Sequence, residues 1–135
     1  MLSKKTQYAF KALMYLAEHS KEKPVLISEI SKKKRIPLKF LENILLELRH
    51  AGVLDSKKGK GGGYFFRVST EKIPLAKVMR LLDGPIALLS CVSLNFYERC
   101  RNCDEKNCGL HNVMCQVRDA NLKILEKKTV ADLVS

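Results

Sequence analysis

The sequence has few acidic residues, few histidines and no long apolar run, and each shortage excludes a class of protein. Its 135 residues include 25 Lys and Arg but only 14 Asp and Glu. No apolar run approaches the roughly 20 residues of a membrane-spanning helix, and the N-terminus lacks the apolar block of a signal peptide. The sequence has only three histidines and no paired carboxylates, so it offers few candidate residues for a catalytic site. We therefore expect a cytoplasmic protein that is not an enzyme and has no membrane partner.

The cysteine count excludes a disulfide framework. Five cysteines are an odd number, and in a reducing compartment they favour metal binding or redox chemistry. The length suits one domain, and a hydrophobic content of 46% is enough for a core without disulfides or a structural metal. Any bound metal is therefore expected to be functional.

Positive charge and cysteines occupy different parts of the chain. Residues 1–80 contain 18 Lys and Arg and 7 acidic residues, whereas residues 81–135 contain 7 of each. All five cysteines lie in the second part: Cys91, Cys100, Cys103, Cys108 and Cys115. This division predicts a basic module that binds a polyanion, followed by a cysteine-bearing module. Charge alone leaves a second explanation open, a lysine-rich surface that only keeps the protein soluble.

Apolar periodicity predicts three helices in the basic module. The first covers 4–19, with Ser3 as its N-cap, and two more cover 26–34 and 38–50. The last two are separated only by a short break at Ile36 and Pro37. Two helices joined by such a short turn predict a helix-turn-helix.

A glycine-rich segment after the third helix predicts a hairpin. Residues 53–56 and 64–68 have the character of short strands, and the connecting KKGKGGG contains three lysines and four glycines. A phosphate-binding loop would lead into a helix through GxxxxGK[ST], whereas this segment leads into a strand. The pattern therefore favours a cationic wing that lies along a DNA groove.

Two more helices are predicted, one at 74–83 that packs on the basic module and a long last one at 108–127. An apolar stripe on the long last helix favours a dimer seam. Its members are Leu110, Val113, Met114, Val117, Asn121 and Ile124. The opposite side carries Cys108, His111 and Cys115, and faces the loop with the other cysteines. Cys115 lies ~10.5 Å along the helix axis from Cys108, so we expect it to be a packed thiol rather than a ligand.

Five residues are the candidate metal ligands, and their chemistry leaves the metal open. They are Cys91, Cys100, Cys103, Cys108 and His111. Thiolates with a histidine suit zinc as well as an iron–sulfur cluster, and zinc is favoured on these residues alone. Metal-free thiols that act by oxidation are the third alternative.

The chain resembles the Rrf2 family of bacterial winged-helix regulators. The resemblance rests on YAFKALMYLA, on ISEISKKKRIPLKF, on L-R-x-A-G-x-x-x-S-x-x-G-x-x-G-G-Y from Leu48 to Tyr64, and on cysteines before a long helix. It implies a mainly α fold with a small β-hairpin wing and a long C-terminal dimerisation helix. The implied domains are a winged helix-turn-helix at 1–83, a sensor loop at 84–107, and a dimerisation helix with its tail at 108–135. The implied function is a homodimeric repressor bound to a double-stranded DNA operator.

The resemblance also assigns DNA-binding residues. It places base reading at Glu42, with Lys39, Phe40 and Asn43 beside it, and a minor-groove contact at Lys58, where the family usually has arginine. The remaining candidates lie near these elements: Lys4, Lys5, Arg49, Lys60, Gly61 and Gly62.

For the cysteine loop, the resemblance implies a [2Fe-2S] cluster held by three cysteines and one histidine. This shifts the preference from zinc to iron–sulfur, with [4Fe-4S] as a second form. The spacing C-x8-C-x2-C-x4-C has one cysteine too many, so either Cys100 or Cys103 is the middle ligand, or all four cysteines bind without His111. We expect operator affinity to follow the cluster, or a redox or nitrosative signal. The alternative is a zinc-stabilised or cofactor-free thiol-sensing regulator.

Overall fold

The structure is a computed structural model that describes residues 2–134. In that range it contains five α-helices and one two-stranded sheet. The elements are α1 (Lys4–His19), α2 (Ile27–Lys34), α3 (Leu38–His50), β1 (Leu54–Lys57), β2 (Gly63–Phe66), α4 (Leu75–Leu82) and α5 (Gly109–Leu125). Short 3-10 helices lie at Thr70–Lys72, Ser90–Val92, Glu105–Asn107 and Val130–Leu133. The predicted fold class, mainly α with a small hairpin wing, is confirmed.

Helix α1 has the predicted bounds and forms the centre of the core. The Ser3 hydroxyl caps it by accepting a hydrogen bond from the Thr6 amide at 3.2 Å. Its inner face is fully buried at Ala9, Ala12, Leu13 and Leu16. These side chains pack against α3, the wing and the C-terminal tail. The small alanines let the neighbouring elements approach α1 closely.

The helix-turn-helix consists of α2 and α3. Helix α2 begins at Ile27, one residue later than predicted, because Leu26 stands at the cap position and has no side-chain acceptor. The turn passes through Arg35, whose φ of 54° is left-handed, and the buried Ile36. Helix α3 has the predicted bounds and buries one stripe, formed by Leu41, Ile44, Leu45 and Leu48.

The wing is an antiparallel hairpin with Leu54 opposite Phe66 and Lys57 opposite Gly63. Both strands are displaced by one residue or more from the predicted ranges. The reason is a second backbone contact at the start of β2, next to the tip of the wing, where the Val25 and Tyr64 amides and carbonyls pair at 2.9 and 2.8 Å. A Cβ on Gly63 would lie 2.3 Å from the Val25 carbonyl oxygen, so only glycine fits there. The wing is therefore fixed to the loop between α1 and α2.

The C-terminal part returns to the winged domain. Helices α4 and α5 are each shorter than the predicted 74–83 and 108–127, since Pro74 and Cys108 occupy cap positions. The tail then pairs with the segment before α4, through the Val130 amide and the Ile73 carbonyl at 3.0 Å. Val130 is fully buried in the main core. No part of the tail was predicted to lie in that core.

None of the helices in the described range has the length and apolar character needed to span a bilayer.

Candidate nucleic-acid interface and cysteine site

Helix α3 presents one stripe of side chains away from the core. We define this outer stripe as Lys39, Asn43, Leu46 and His50, which follow one another at helical spacing and are all exposed. Leu46 is 41% exposed although it is apolar. Lys39 and Asn43 were predicted from the sequence, whereas Leu46 and His50 were not. Extending the helical period from Lys39 along α3 would have found both.

Glu42 and Phe40, two other predicted DNA-binding residues, flank the outer stripe. The Glu42 carboxylate lies 4.0 Å from the Lys39 ammonium, and the Lys39 side chain is 92% exposed. An ion pair so open to water is weak, so both groups are free to contact a ligand. The Phe40 ring meets Tyr8 of α1 edge to face, with 5.6 Å between centroids. Phe40 therefore also connects α3 to α1.

Three of the predicted DNA-binding cations already have partners within the protein. The Lys5 ammonium lies 2.7 Å from a Glu47 carboxylate oxygen, which ties α1 to α3. The Arg49 guanidinium lies 3.8 Å from Asp55 on β1. The Lys4 ammonium is 5.8 Å from the centre of the Tyr8 ring. The contacts of Lys5 and Arg49 hold α3 in place relative to α1 and β1, whereas the Lys4 contact lies within α1.

The tip of the wing presents Lys58 and Lys60 to solvent. Gly59 and Gly61 adopt left-handed φ values of 87° and 77°, as a tight turn requires. Gly62 is buried, and a Cβ there would lie 2.2 Å from the Lys57 carbonyl oxygen. The glycines of the tip thus shape the turn that exposes the two lysines.

The four cysteines predicted as ligands line one cavity of about 290 Å³. Cys91 comes from the 3-10 helix Ser90–Val92, and Cys108 immediately precedes α5. Cys100 and Cys103 lie on the connecting loop, where Cys100 is exposed and Cys103 half-buried. All five thiols of the chain are free. We call this cavity with its cysteines the cysteine site.

His111, the fifth predicted ligand, contacts two of these thiols. Its Nδ1 lies 3.3 Å from the Cys91 sulfur, and its backbone amide donates a hydrogen bond to the Cys108 sulfur at 3.4 Å. Cys108 is therefore the N-cap of α5 rather than part of the helix. Cys115 does not line the cavity, and its sulfur lies 3.9 Å from the Arg118 guanidinium.

Two thiols of the cysteine site, those of Cys91 and Cys103, have raised pKa values. Burial raises the pKa of Cys91, and the nearby Glu105 and Cys100 raise it further. Burial and the neighbouring thiols of Cys100 and Cys108 raise the pKa of Cys103 to about 11. Crowded thiols repel one another once charged, so a cation is needed to make them thiolates together.

The donor set suits a metal, although the side chains are not gathered around one point. Within residues 2–134, no three histidine, cysteine or acidic side chains converge as ligands of a single ion. Four thiols around one cavity, with an imidazole against the Cys91 sulfur, nevertheless match the ligands of iron–sulfur clusters and of tetrahedral zinc. The residues present therefore fit either group.

Several contacts join the cysteine site to the winged domain. The Arg118 guanidinium of α5 donates a hydrogen bond to the Val92 carbonyl at 2.9 Å, next to Cys91. Further along the chain, just after α5, Glu126 pairs with Arg80 of α4 at 2.9 Å. One helix with its C-terminal cap thus contacts both the cysteine site and α4.

A family model described as an iron-dependent transcriptional regulator, Rrf2, matches residues 2–135. The chain belongs to the Rrf2 family. An HTH-type transcriptional regulator from Rhodobacter capsulatus, named rrf2-like, is 35% identical over 139 residues, which cover all of this chain and 93% of the relative. The transcriptional regulator IscR of Pectobacterium carotovorum is 31% identical over 99% of this chain and 79% of its own length.

Solved structures of Rrf2 regulators share the fold. CymR, the global cysteine regulator of B. subtilis, has a TM-score of 0.81 and 25% identity, covering 98% of this chain and 95% of that one. IscR of T. potens has a TM-score of 0.77 and 25% identity, and the match covers 98% of this chain and 85% of that one. This Rrf2 chain is therefore a transcriptional regulator of the IscR and CymR type. The prediction that it is not an enzyme agrees with the names of these relatives.

Proposed function

We propose that the protein is a homodimeric repressor whose affinity for a DNA operator is set by an iron–sulfur cluster in the cysteine site. The observation that carries the proposal is the position of the cysteine site. Cys91, Cys100, Cys103 and Cys108 line one cavity at the start of α5, and the far end of α5 contacts α4 of the winged domain. Transcriptional regulation itself follows from the family.

DNA binding uses the outer stripe of α3 and the tip of the wing. The Glu42 carboxylate can accept a hydrogen bond from a cytosine amino group in the major groove, and Asn43 can pair with adenine. Lys58 and Lys60 supply cations for the phosphates, or for the minor groove beside the major groove that α3 enters. Lys5 and Arg49 contribute less charge to DNA, because each is paired with a carboxylate of its own protein.

The sensor consists of the cysteine site. Cys91, Cys108 and His111 would supply three ligands, with Cys100 or Cys103 as the fourth. When bound, an iron–sulfur cluster supplies a redox-active centre that thiolates hold. The loop that carries Cys100 and Cys103 would then lie closer to Cys91 and α5. A ligand can shift operator affinity only if it favours one arrangement of the protein over another, and this loop is the part that changes.

Dimer formation uses the exposed apolar face of α5. Leu110, Val113 and Ile124 are 58%, 51% and 60% exposed in the single chain. A monomeric protein rarely leaves such an apolar stripe uncovered, and two copies of α5 packed together would bury it.

The test is chemical analysis combined with DNA binding. Protein purified without oxygen is expected to contain iron and sulfide in similar amounts and to absorb visible light. Its affinity for a duplex recovered from a random-sequence pool should change when the cluster is removed. Cys108→Ala should abolish the cluster, whereas Cys115→Ala, outside the cavity, is the matched control and should retain it. Protein with neither iron nor sulfide, whose DNA affinity is the same with Cys108→Ala, would contradict the sensor.

Zinc is the second candidate for the same residues. The arrangement C-x2-C at Cys100 and Cys103 favours it, because two such closely spaced thiolates with Cys91 and Cys108 make a tetrahedral set of four sulfur ligands. The zinc form would contain one tightly bound ion, no sulfide and no visible absorption. Under that outcome the site stabilises the fold or senses thiol oxidation.

A further inference from the structure

The end of α2 carries four consecutive cations that are not among the DNA-binding residues of the proposed function. Lys32, Lys33, Lys34 and Arg35 are all exposed. We call them the α2 tetrad. Among residues 2–134, the ion pairs involve other cations and none from the tetrad. We propose that Lys32, Lys33 and Arg35 bind the phosphate backbone of DNA beside the groove that α3 enters. This inference rests on the proposed DNA binding and adds a contact surface to it.

Arg35 has a backbone conformation that is unfavourable for arginine. Its φ of 54° and ψ of 48° are left-handed, a conformation that suits glycine or asparagine at the end of a helix. The turn around it is held rigidly, since the Ser31 hydroxyl donates to the Ile36 carbonyl at 2.6 Å and the Ile36 amide donates to the Ser31 carbonyl at 3.0 Å. A strained residue kept in a rigid turn indicates that its side chain has a use.

The helix dipole accounts for only part of the tetrad. Cations in the last turn of α2 interact favourably with its carbonyl end. Arg35 lies beyond that turn, however, where glycine would relieve the strain. The dipole therefore does not explain why an arginine stands at this position.

The tetrad lies next to the start of α3. Three trans peptides join Arg35 to Leu38, so their α-carbons are at most ~11 Å apart. In a helix-turn-helix, the first residues of the second helix contact base edges in the major groove, which is about 12 Å wide. A cation that close to the start of α3 lies near the phosphates that border the groove.

The four cations are not equivalent. Lys34 points back to α1, where its ammonium lies 5.8 Å from the centre of the Tyr15 ring. Lys32 lies on the side of α2 away from the buried Ile30, and Lys33 is exposed although it lies nearer the inner side. This arrangement assigns phosphate binding to Lys32, Lys33 and Arg35, and packing to Lys34.

The test measures how DNA affinity depends on salt, with a duplex recovered from a random pool by the wild-type protein. Each phosphate contact contributes about 0.9 to the slope of log K against log salt concentration. Arg35→Asn should lower the slope by about 0.9 for each half-site bound, and the affinity on the order of fivefold. It should also leave the protein at least as stable, because asparagine tolerates the left-handed backbone. Arg35→Lys keeps the charge and should keep the slope.

The double variant Lys32→Gln with Lys33→Gln should lower the slope by about 1.8 for each half-site bound. Its matched control is Lys123→Gln with Lys127→Gln, which removes the same charge from exposed positions near the end of α5. If the tetrad variants have the slope of the control, the inference is overturned. A wild-type protein that retains no duplex would instead overturn the proposed DNA binding. The two failures are therefore distinguishable.

Discussion

Lys5 and Lys58 carry the same charge in different surroundings. The Lys58 side chain is exposed at the wing tip, whereas Lys5 lies 2.7 Å from Glu47. Lys58→Ala should weaken DNA binding and lower its salt slope by about one for each half-site bound, since one released counterion is lost there. Lys5→Ala should change the slope less, because its charge is already balanced by Glu47. Fluorescence titrations at several salt concentrations measure both slopes. An unchanged slope for Lys58→Ala would show that the wing does not contact the phosphates.

Leu46 is the one apolar residue in the outer stripe of α3. In the major groove, a leucine can contact the methyl group of thymine, which distinguishes thymine from cytosine. Leu46→Ala should therefore reduce the preference for thymine at one operator position by about fivefold, the equivalent of roughly 1 kcal/mol. Because Leu46 is exposed, thermal stability should hardly change. Sequencing of duplexes selected by each protein gives the preference, and identical base frequencies would show that Leu46 does not contact a base.

At the scale of elements, Tyr15 and Glu29 join α1 to α2. The Tyr15 hydroxyl donates a short hydrogen bond to the Glu29 carboxylate. This bond, together with burial, raises the pKa of Tyr15 from 10.0 to about 12. A raised pKa means that the neutral phenol stabilises the fold below pH 10 and that this stabilisation is lost as pH rises toward 12.

Tyr15→Phe should therefore be less stable than wild type at neutral pH, and the difference should shrink between pH 10 and 12. Urea unfolding of both proteins at several pH values measures it, and taking the difference removes the contributions that the two proteins share. Glu29→Gln is a useful companion, because it keeps a hydrogen-bond acceptor but removes the charge. A difference that stays constant with pH would mean that the hydrogen bond does not persist in solution.

The elements differ in how well the sequence predicts them. Helix α3 was predicted to the residue because its buried stripe is periodic and Pro37 and Gly52 bound it. The strands were displaced because their ends depend on the contact between Tyr64 and Val25, which is distant in sequence. The cysteine loop has no repeating apolar pattern, so the spacing of its residues could not show whether Cys100 or Cys103 is the middle ligand. Nor could local pattern show that Val130 returns to the core.

At the scale of the whole molecule, α5 is the element through which the cysteine site and the winged domain are connected. Arg118 binds the carbonyl next to Cys91, and Glu126 binds Arg80. The segment after α5 then enters the core through Val130, so a displacement of α5 is transmitted to the elements around α1. The same helix exposes the stripe that we assign to the dimer. In the proposed dimer, a change at the cysteines would thus reach the winged domain through α5 and its tail, and would alter the spacing of the two recognition helices.

This arrangement predicts that DNA binding fails when α5 cannot pair. Val113→Glu places a charge in the centre of the proposed seam, and an unpaired buried charge there should cost about 3 kcal/mol, roughly a hundredfold in dimer dissociation. Val113 is 51% exposed in the single chain, so the monomer should keep its fold. Gln116→Glu introduces the same side chain at an exposed position outside the stripe and is the matched control.

Sedimentation equilibrium should find Val113→Glu monomeric and Gln116→Glu dimeric at the same concentration. The monomer should bind a full palindromic site no better than a single half-site, because the gain from linking two recognition helices is lost. A dimeric Val113→Glu would place the subunit interface elsewhere on the molecule. A monomer that still binds the full site with wild-type affinity would show that each winged domain recognises DNA on its own, and that α5 transmits no signal between them.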